Sequence, residues 1–436
     1  MRCRNPSWVD IFLISRQRIV GKTNGSSAYI LSIAEYLRSN GFRVHYVSPS
    51  PAAFGRWPFF RLRPEMAVFD SYRIRGSIKC GPFLILPNPK VFWRALIAIL
   101  DRVLARTGLS KHRWGKPAPH SITVPLTTRD SEFLERHVRG RAGALILDYA
   151  FLTPCIKPAG APQTPTIVIM HDLFSAVIPD LRKVADDQYV FEISETEEMD
   201  LLSAADLVVA IQDEEAAVVR DRLPQQRVIV APMAVEAADH PSPGDSDTVL
   251  FVGSNTLPNA DGLRWFIDNV WGRIRAARPA ARFLVAGSVA WSYAPAVPGV
   301  EYLGIVADLR EVYEHAGVIV SPLRVGSGLK IKLVEGLGWG KAMVVTPTSV
   351  RGVEPIVEKA VLIAENADTF ATNVLSLLAD ETKRQRYAAA ALHVASTQFG
   401  RDASYGEIAA FIRDRTPRIQ HHNIRQPSAA HSAAPI

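Results

Sequence analysis

The chain has 436 residues, 48% apolar and 21% charged, a globular composition with room for two or three domains. The net charge is +7, yet residues 51–120 hold 13 Lys and Arg against 3 Asp and Glu, and the remainder is slightly acidic. One segment therefore carries the whole basic excess, which argues against a nucleic-acid-binding protein. Cys3, Cys80 and Cys155 lie far apart, with no CxxC pair and no metal-ligand spacing, and read as reduced thiols of a cytoplasmic protein. There is no secretory signal and no uncharged run of about 18 apolar residues.

In chain order, Val9–Ser15 reads as a strand, Ser26–Asn40 as a helix ended by Gly41, and Arg43–Ser48 as a second strand. Ala144–Asp148, Thr166–Met170, Leu207–Ile211 and Val228–Ala231 are short runs rich in Val and Ile, suited to buried parallel strands. Residues 51–120 interrupt this rhythm with Pro, Arg and aromatics. Within them Val91–Arg106 reads as a helix of about 24 Å, short for a bilayer, with Arg94, Asp101, Arg102 and Arg106 on one stripe. It suits either a helix packed on its own domain or one lying in an anionic membrane surface.

Residues 236–248 are small, polar and Pro-rich, and read as a linker. A second α/β unit follows: strands at Val249–Gly253, Arg282–Gly287, Val300–Leu303, Val318–Pro322 and Ala342–Thr346, with helices at Asp261–Arg278, Leu309–Ala316 and from Leu329. Alternating strands and helices predict two doubly wound α/β domains. Residues 1–235 form the first and 249–395 the second. A helix over 396–416 is positioned to return to the first domain, and 417–436 lack apolar periodicity and read as a disordered tail.

The stretch Val318–Thr346 reads as strand, Gly-rich turn, helix, strand. Gly326, Ser327 and Gly328 allow close backbone approach, and the helix behind them offers free N–H groups and a positive dipole end, together an anion site. Lys330 and Lys332 add positive charge. Lys332 and Glu335 share a helix face, so Lys332 suits a phosphate and Glu335 the hydroxyls of a ribose. A plain Gly-rich turn with an ordinary Lys–Glu pair fits the same residues.

This stretch, with residues 249–287, 300–324 and 205–235, resembles the group-1 retaining glycosyltransferases, which have the GT-B fold of two Rossmann-like domains facing a cleft. The resemblance implies transfer of a sugar from a nucleotide diphosphate sugar to a glycan or lipid-linked acceptor, with no further cofactor. It implies donor contacts from Gly253, Ser254 and Gly304 as well as from Gly326, Ser327, Gly328, Lys330, Lys332 and Glu335. It also implies an acceptor-side loop at Gly21, Thr23, Asn24 and Gly25, and a histidine near the reacting sugar, His171. Plain turn or capping roles remain open for Gly253, Gly304 and the Asn24-Gly25 pair.

Two features depart from the family. Many relatives carry a glutamate eight positions before Glu335, where this chain has Ser327, and their Arg and Lys pair after the first strand of the second domain is missing from Ser254–Gly262. A non-catalytic nucleotide-sugar-binding protein on the same scaffold is therefore the alternative. A nicotinamide-dependent enzyme is disfavoured, because no GxGxxG opens the first helix. No histidine cluster calls for a metal, and the one Asp-x-Asp, Asp245-Ser246-Asp247, falls in the stretch read as a linker.

Overall fold

The computed structural model describes residues 8–19, 21, 25–55, 57–106, 123–176, 193–306, 308–325 and 331–416. The first sheet contains β1 (Val9–Ile14), β2 (Phe42–Ser48), β4 (Ser71–Ile74), β7 (Ala144–Asp148), β8 (Thr166–Met170), β9 (Leu207–Ala210) and β10 (Val228–Val230), all parallel. Its order is β10-β9-β8-β7-β1-β2-β4. β7, β8 and β9 are buried along their whole length, as continuous Val, Ile and Leu runs covered on both faces must be. The chain winds outward in both directions from β1 and β7. That pair is the topological switch point, where a crevice opens at the carboxyl ends of the strands.

The second sheet contains β11 (Asp245–Val252), β12 (Arg282–Ala286), β13 (Val300–Gly304), β14 (Ala316–Ser321), β15 (Ala342–Val345) and β16 (Leu362–Ile363), again parallel. Its order, β13-β12-β11-β14-β15-β16, puts the switch point between β11 and β14. Helix Arg401–Arg415 leaves this domain and packs into the first. Tyr405, Ile408, Phe411 and Ile412 join the first core, while Phe399 stays in the second. Tyr405 OH donates to Ser32 Oγ (3.1 Å) and accepts from Ala234 N (2.9 Å), and Arg401 pairs with Glu35 and Glu236. Because it belongs to one core and is covalently tied to the other, this helix straps the two domains together.

Several boundaries differ from the sequence reading. β11 begins at Asp245, so the last residues assigned to the linker are strand: Asp245 pairs with Ala316 before a register shift. The helix expected at Asp261–Arg278 begins at Leu257, after Thr256 and with Pro258 in its first turn, and becomes a π-turn over Ile267–Trp271. Residues 51–120 are more than an insertion. They supply the edge strand β4, and a separate antiparallel sheet of β3 (Phe59–Arg61), β5 (Ile78–Cys80) and β6 (Phe83–Ile85) in the order β3-β6-β5. Helix α1 spans Gly25–Ser39, and α2 spans Pro89–Arg106. The tail 417–436 lies outside the described residues.

Candidate active site

Loops at the carboxyl ends of the two sheets meet. α1 starts there on the first domain, and helix Ile331–Gly338 starts there on the second. Gly25 lies against Ile331 so closely that a Cβ would stand 2.6 Å from Ile331 Cδ1. A Cβ on Gly352, beyond β15, would stand 2.8 Å from Gln212 Oε1, beyond β9. The carboxyl ends of the two sheets therefore face each other, with the start of α1 against the start of helix Ile331–Gly338.

On the second domain, Lys332 and Glu335 are half-buried, and Lys332 Nζ donates to Glu335 Oε2 at 2.6 Å. Tyr313, buried in the helix before β14, donates its hydroxyl to the same oxygen at 3.2 Å and stacks on Trp339. Burial, reinforced by the Glu335 charge, holds the Tyr313 hydroxyl well above its ordinary pKa, so it stays a neutral donor. Glu335 is thus held by two donors through one oxygen. Gly326, Ser327, Gly328 and Lys330 lie outside the described residues. The segment leading to them is anchored: Arg324 makes a two-pronged pair with Asp261 (2.6 and 3.0 Å), and Ser321 and Leu323 are bound by the hydroxyls of Ser349 and Thr346.

Gly253, Gly287 and Gly304 close β11, β12 and β13 side by side. Gly253 N donates to Ala286 O (2.9 Å), and Gly287 N donates to Gly304 O (2.6 Å). Gly287 has φ +100°, and a Cβ there would stand 2.1 Å from Gly253 O. No other residue fits that close approach. Ser254 has its carbonyl and hydroxyl engaged by Asn259 Nδ2, so its side chain serves the start of the following helix. Gly287 escaped the sequence reading, although the repeated pair Gly253-Ser254 and Gly287-Ser288 at two strand ends signals it.

On the first domain His171 directly follows β8 and is buried. Its Nε2 lies 2.7 Å from Asp148 Oδ1, and its ring packs on Tyr149 and edge-on to Tyr29. Asp148 is fully buried at the end of β7. Its Oδ2 accepts from Ser15 Oγ (2.5 Å) and Gln17 Nε2 (2.8 Å), while Gln17 Oε1 accepts from Ser26 Oγ in the first turn of α1. The next residue, Tyr149, has φ +79°, an uncommon conformation for a bulky side chain and one concentrated at functional sites. Asp148, Ser15 and Gln17 were not foreseen. An aspartate closing an otherwise apolar strand was the available signal. Gly21 (φ +81°) lies against Glu65, whereas Thr23 and Asn24 lie outside the described residues.

Beneath His171, Glu198 accepts from the amides of Phe174 and Ser175, and Glu215 accepts from Leu173 N. Burial and then the Asp172 charge push the Glu215 carboxyl up to about 8. A carboxyl whose folded pKa exceeds its unfolded value binds more protons in the folded state between the two. Stability is then lost as pH rises from the ordinary carboxylate range to about 8. Glu215→Gln is expected to flatten that loss, raising the melting temperature more at pH above 8 than at pH 5. Equal shifts at both pH values would contradict the assignment.

A family model described as "Glycosyl transferases group 1" matches residues 246–380. The C-terminal domain is a group 1 glycosyltransferase domain. Over its length the chain is similar in fold to sucrose-phosphate synthase from Thermosynechococcus elongatus (TM-score 0.58, 15% identity, covering 93% of this chain and 98% of that one). It is similar also to S. aureus TarM solved with UDP (0.62, 8%, 93% and 100%) and to Anabaena HepE solved with UDP and glucose (0.58, 13%, 93% and 100%). At these identities the likeness establishes the two-domain GT-B fold. No curated protein matches by sequence. In the group 1 domain, the Lys332–Glu335 pair lies on the helix beyond the β11/β14 switch point, whose first residue, Ile331, meets Gly25 of α1.

Proposed function

We propose that the protein transfers a sugar from a nucleotide diphosphate sugar to a glycan or lipid-linked acceptor, with retention of anomeric configuration and without a metal. The observation that carries this reading is the Lys332–Glu335 pair on a group 1 domain, half-exposed beside the first domain's α1. Lys332, the start of its helix and the Gly326–Gly328 turn would meet the diphosphate. Glu335, steadied by Tyr313, would accept from the ribose hydroxyls through Oε1. The anomeric C–O bond breaks with its electron pair going to the diphosphate. The acceptor hydroxyl forms the new bond on the same face and gives its proton to the departing phosphate oxygen. His171, oriented by Asp148, would hold a hydroxyl of the reacting sugar.

A panel of nucleoside diphosphate sugars tests the reading, with nucleoside diphosphate release as the readout. UDP sugars come first, because S. aureus TarM and Anabaena HepE were solved with UDP. The expected result is slow hydrolysis without acceptor, and a melting temperature raised by a nucleoside diphosphate and not by nicotinamide dinucleotides. Ser327, where many relatives carry a glutamate, favours the second reading, a non-catalytic nucleotide-sugar binder. It requires the same thermal shift with no release from any donor.

A further inference from the structure

Helix α2 has two apolar faces, and the fold covers one of them. Ala95 is buried and Val91 packs on the first core. On a helical wheel Phe92, Trp93, Leu96, Ile99 and Leu100 fill a separate arc of about 120°. These five side chains are 47%, 65%, 46%, 45% and 51% exposed. Lys90 and Arg94, both exposed, lie about 60° and about 100° beyond the Trp93 edge of the arc, on the polar face of the helix. The neighbouring small sheet repeats the pattern: Phe60 and Leu84 turn inward, while Phe59, Ile78 and Phe83 are exposed, with Arg61 on the same outward face as Phe59. Only Leu86–Asn88 separate β6 from α2.

An unpartnered apolar surface of this size on an isolated protein marks an interaction site. Charge indicates the occupant. Residues 51–120 hold 13 basic against 3 acidic residues, and Asp101 is the single acid of α2. Eighteen residues of helix are about 27 Å long, and no helix among the described residues is long and apolar enough to cross a membrane. A Phe, Trp, Leu and Ile arc with Lys and Arg on the polar face, on a helix that does not span, matches the interfacial zone of an anionic bilayer. We infer that α2 lies in the surface of an anionic lipid bilayer with this arc immersed, and that the outward face of the small sheet rests beside it. The inference goes beyond sugar transfer and stands on different residues, so vesicle binding and donor turnover fail separately.

Full-length protein is sedimented with phosphatidylcholine vesicles and with vesicles that also contain phosphatidylglycerol, at low and high salt. Binding is expected on the anionic vesicles only, and is expected to weaken with salt. Lys90→Glu with Arg94→Glu should lower partitioning by about tenfold or more. Phe92→Ser with Trp93→Ser should lower it by at least about tenfold. Both pairs should leave turnover of a water-soluble acceptor and the far-ultraviolet circular dichroism unchanged. Equal binding to both vesicle types, no binding, or binding that survives both pairs of substitutions overturns the inference. So does a concentration-dependent dimer abolished by Phe92→Ser with Trp93→Ser, which would assign the arc to a second copy of the chain.

Discussion

Lys332→Ala is expected to lower kcat/KM by about 100- to 1,000-fold while leaving the fold intact, the scale seen when one donor to developing negative charge is removed. The reasoning is differential. In the free protein Lys332 pairs with Glu335 at a half-exposed position, where such a pair contributes only ~0–1 kcal/mol. In the proposed reaction, charge accumulates on the departing diphosphate, and a cation already held at the helix start would stabilise that charge without reorganising. About 3–4 kcal/mol of barrier thus separates wild type from variant, against a negligible change in stability. Glu335→Ala should act differently. On the proposed reading it removes the acceptor for the ribose hydroxyls, an interaction made equally in ground and transition states, and so it should mainly raise KM for the donor. Steady-state kinetics on both variants, with unfolding curves alongside, separate the two effects. Full turnover by both would show that the donor sits elsewhere.

Gly287→Ala is expected to destabilise the C-terminal domain by ~3 kcal/mol or more and to weaken donor binding. Two costs add: a positive φ that L side chains rarely adopt, and a Cβ placed 2.1 Å from Gly253 O. Relief requires the ends of β11 and β12 to separate. Those ends carry Gly253 and, through the Gly287 N to Gly304 O hydrogen bond, the end of β13. Gly272→Ala is the control. It lies at an exposed helical position where a Cβ meets nothing within 4 Å, and it should stabilise by up to ~1 kcal/mol. Denaturant midpoints for the two variants should move in opposite directions. An unchanged midpoint for Gly287→Ala would show that the strand ends yield freely.

The sequence by itself determined the two α/β domains, because buried parallel strands require unbroken runs of Val, Ile and Leu, and these alternate with helix-period segments along the chain. It also determined that Lys332 and Glu335 share a helix face, since three-residue spacing on a helix permits nothing else. Its limits appear where distant residues combine. Ser15, Gln17, Asp148 and His171 come from three strand ends up to 156 positions apart, and only the β8-β7-β1 order gathers them around one carboxylate. Tyr313 reaches Glu335 because β14 sets the spacing of the two helices that flank it. The basic composition of residues 51–120 was legible, but which face of α2 stays uncovered was not. Helical periodicity names an apolar face without saying whether the fold has anything to lay against it, and that is settled by packing alone.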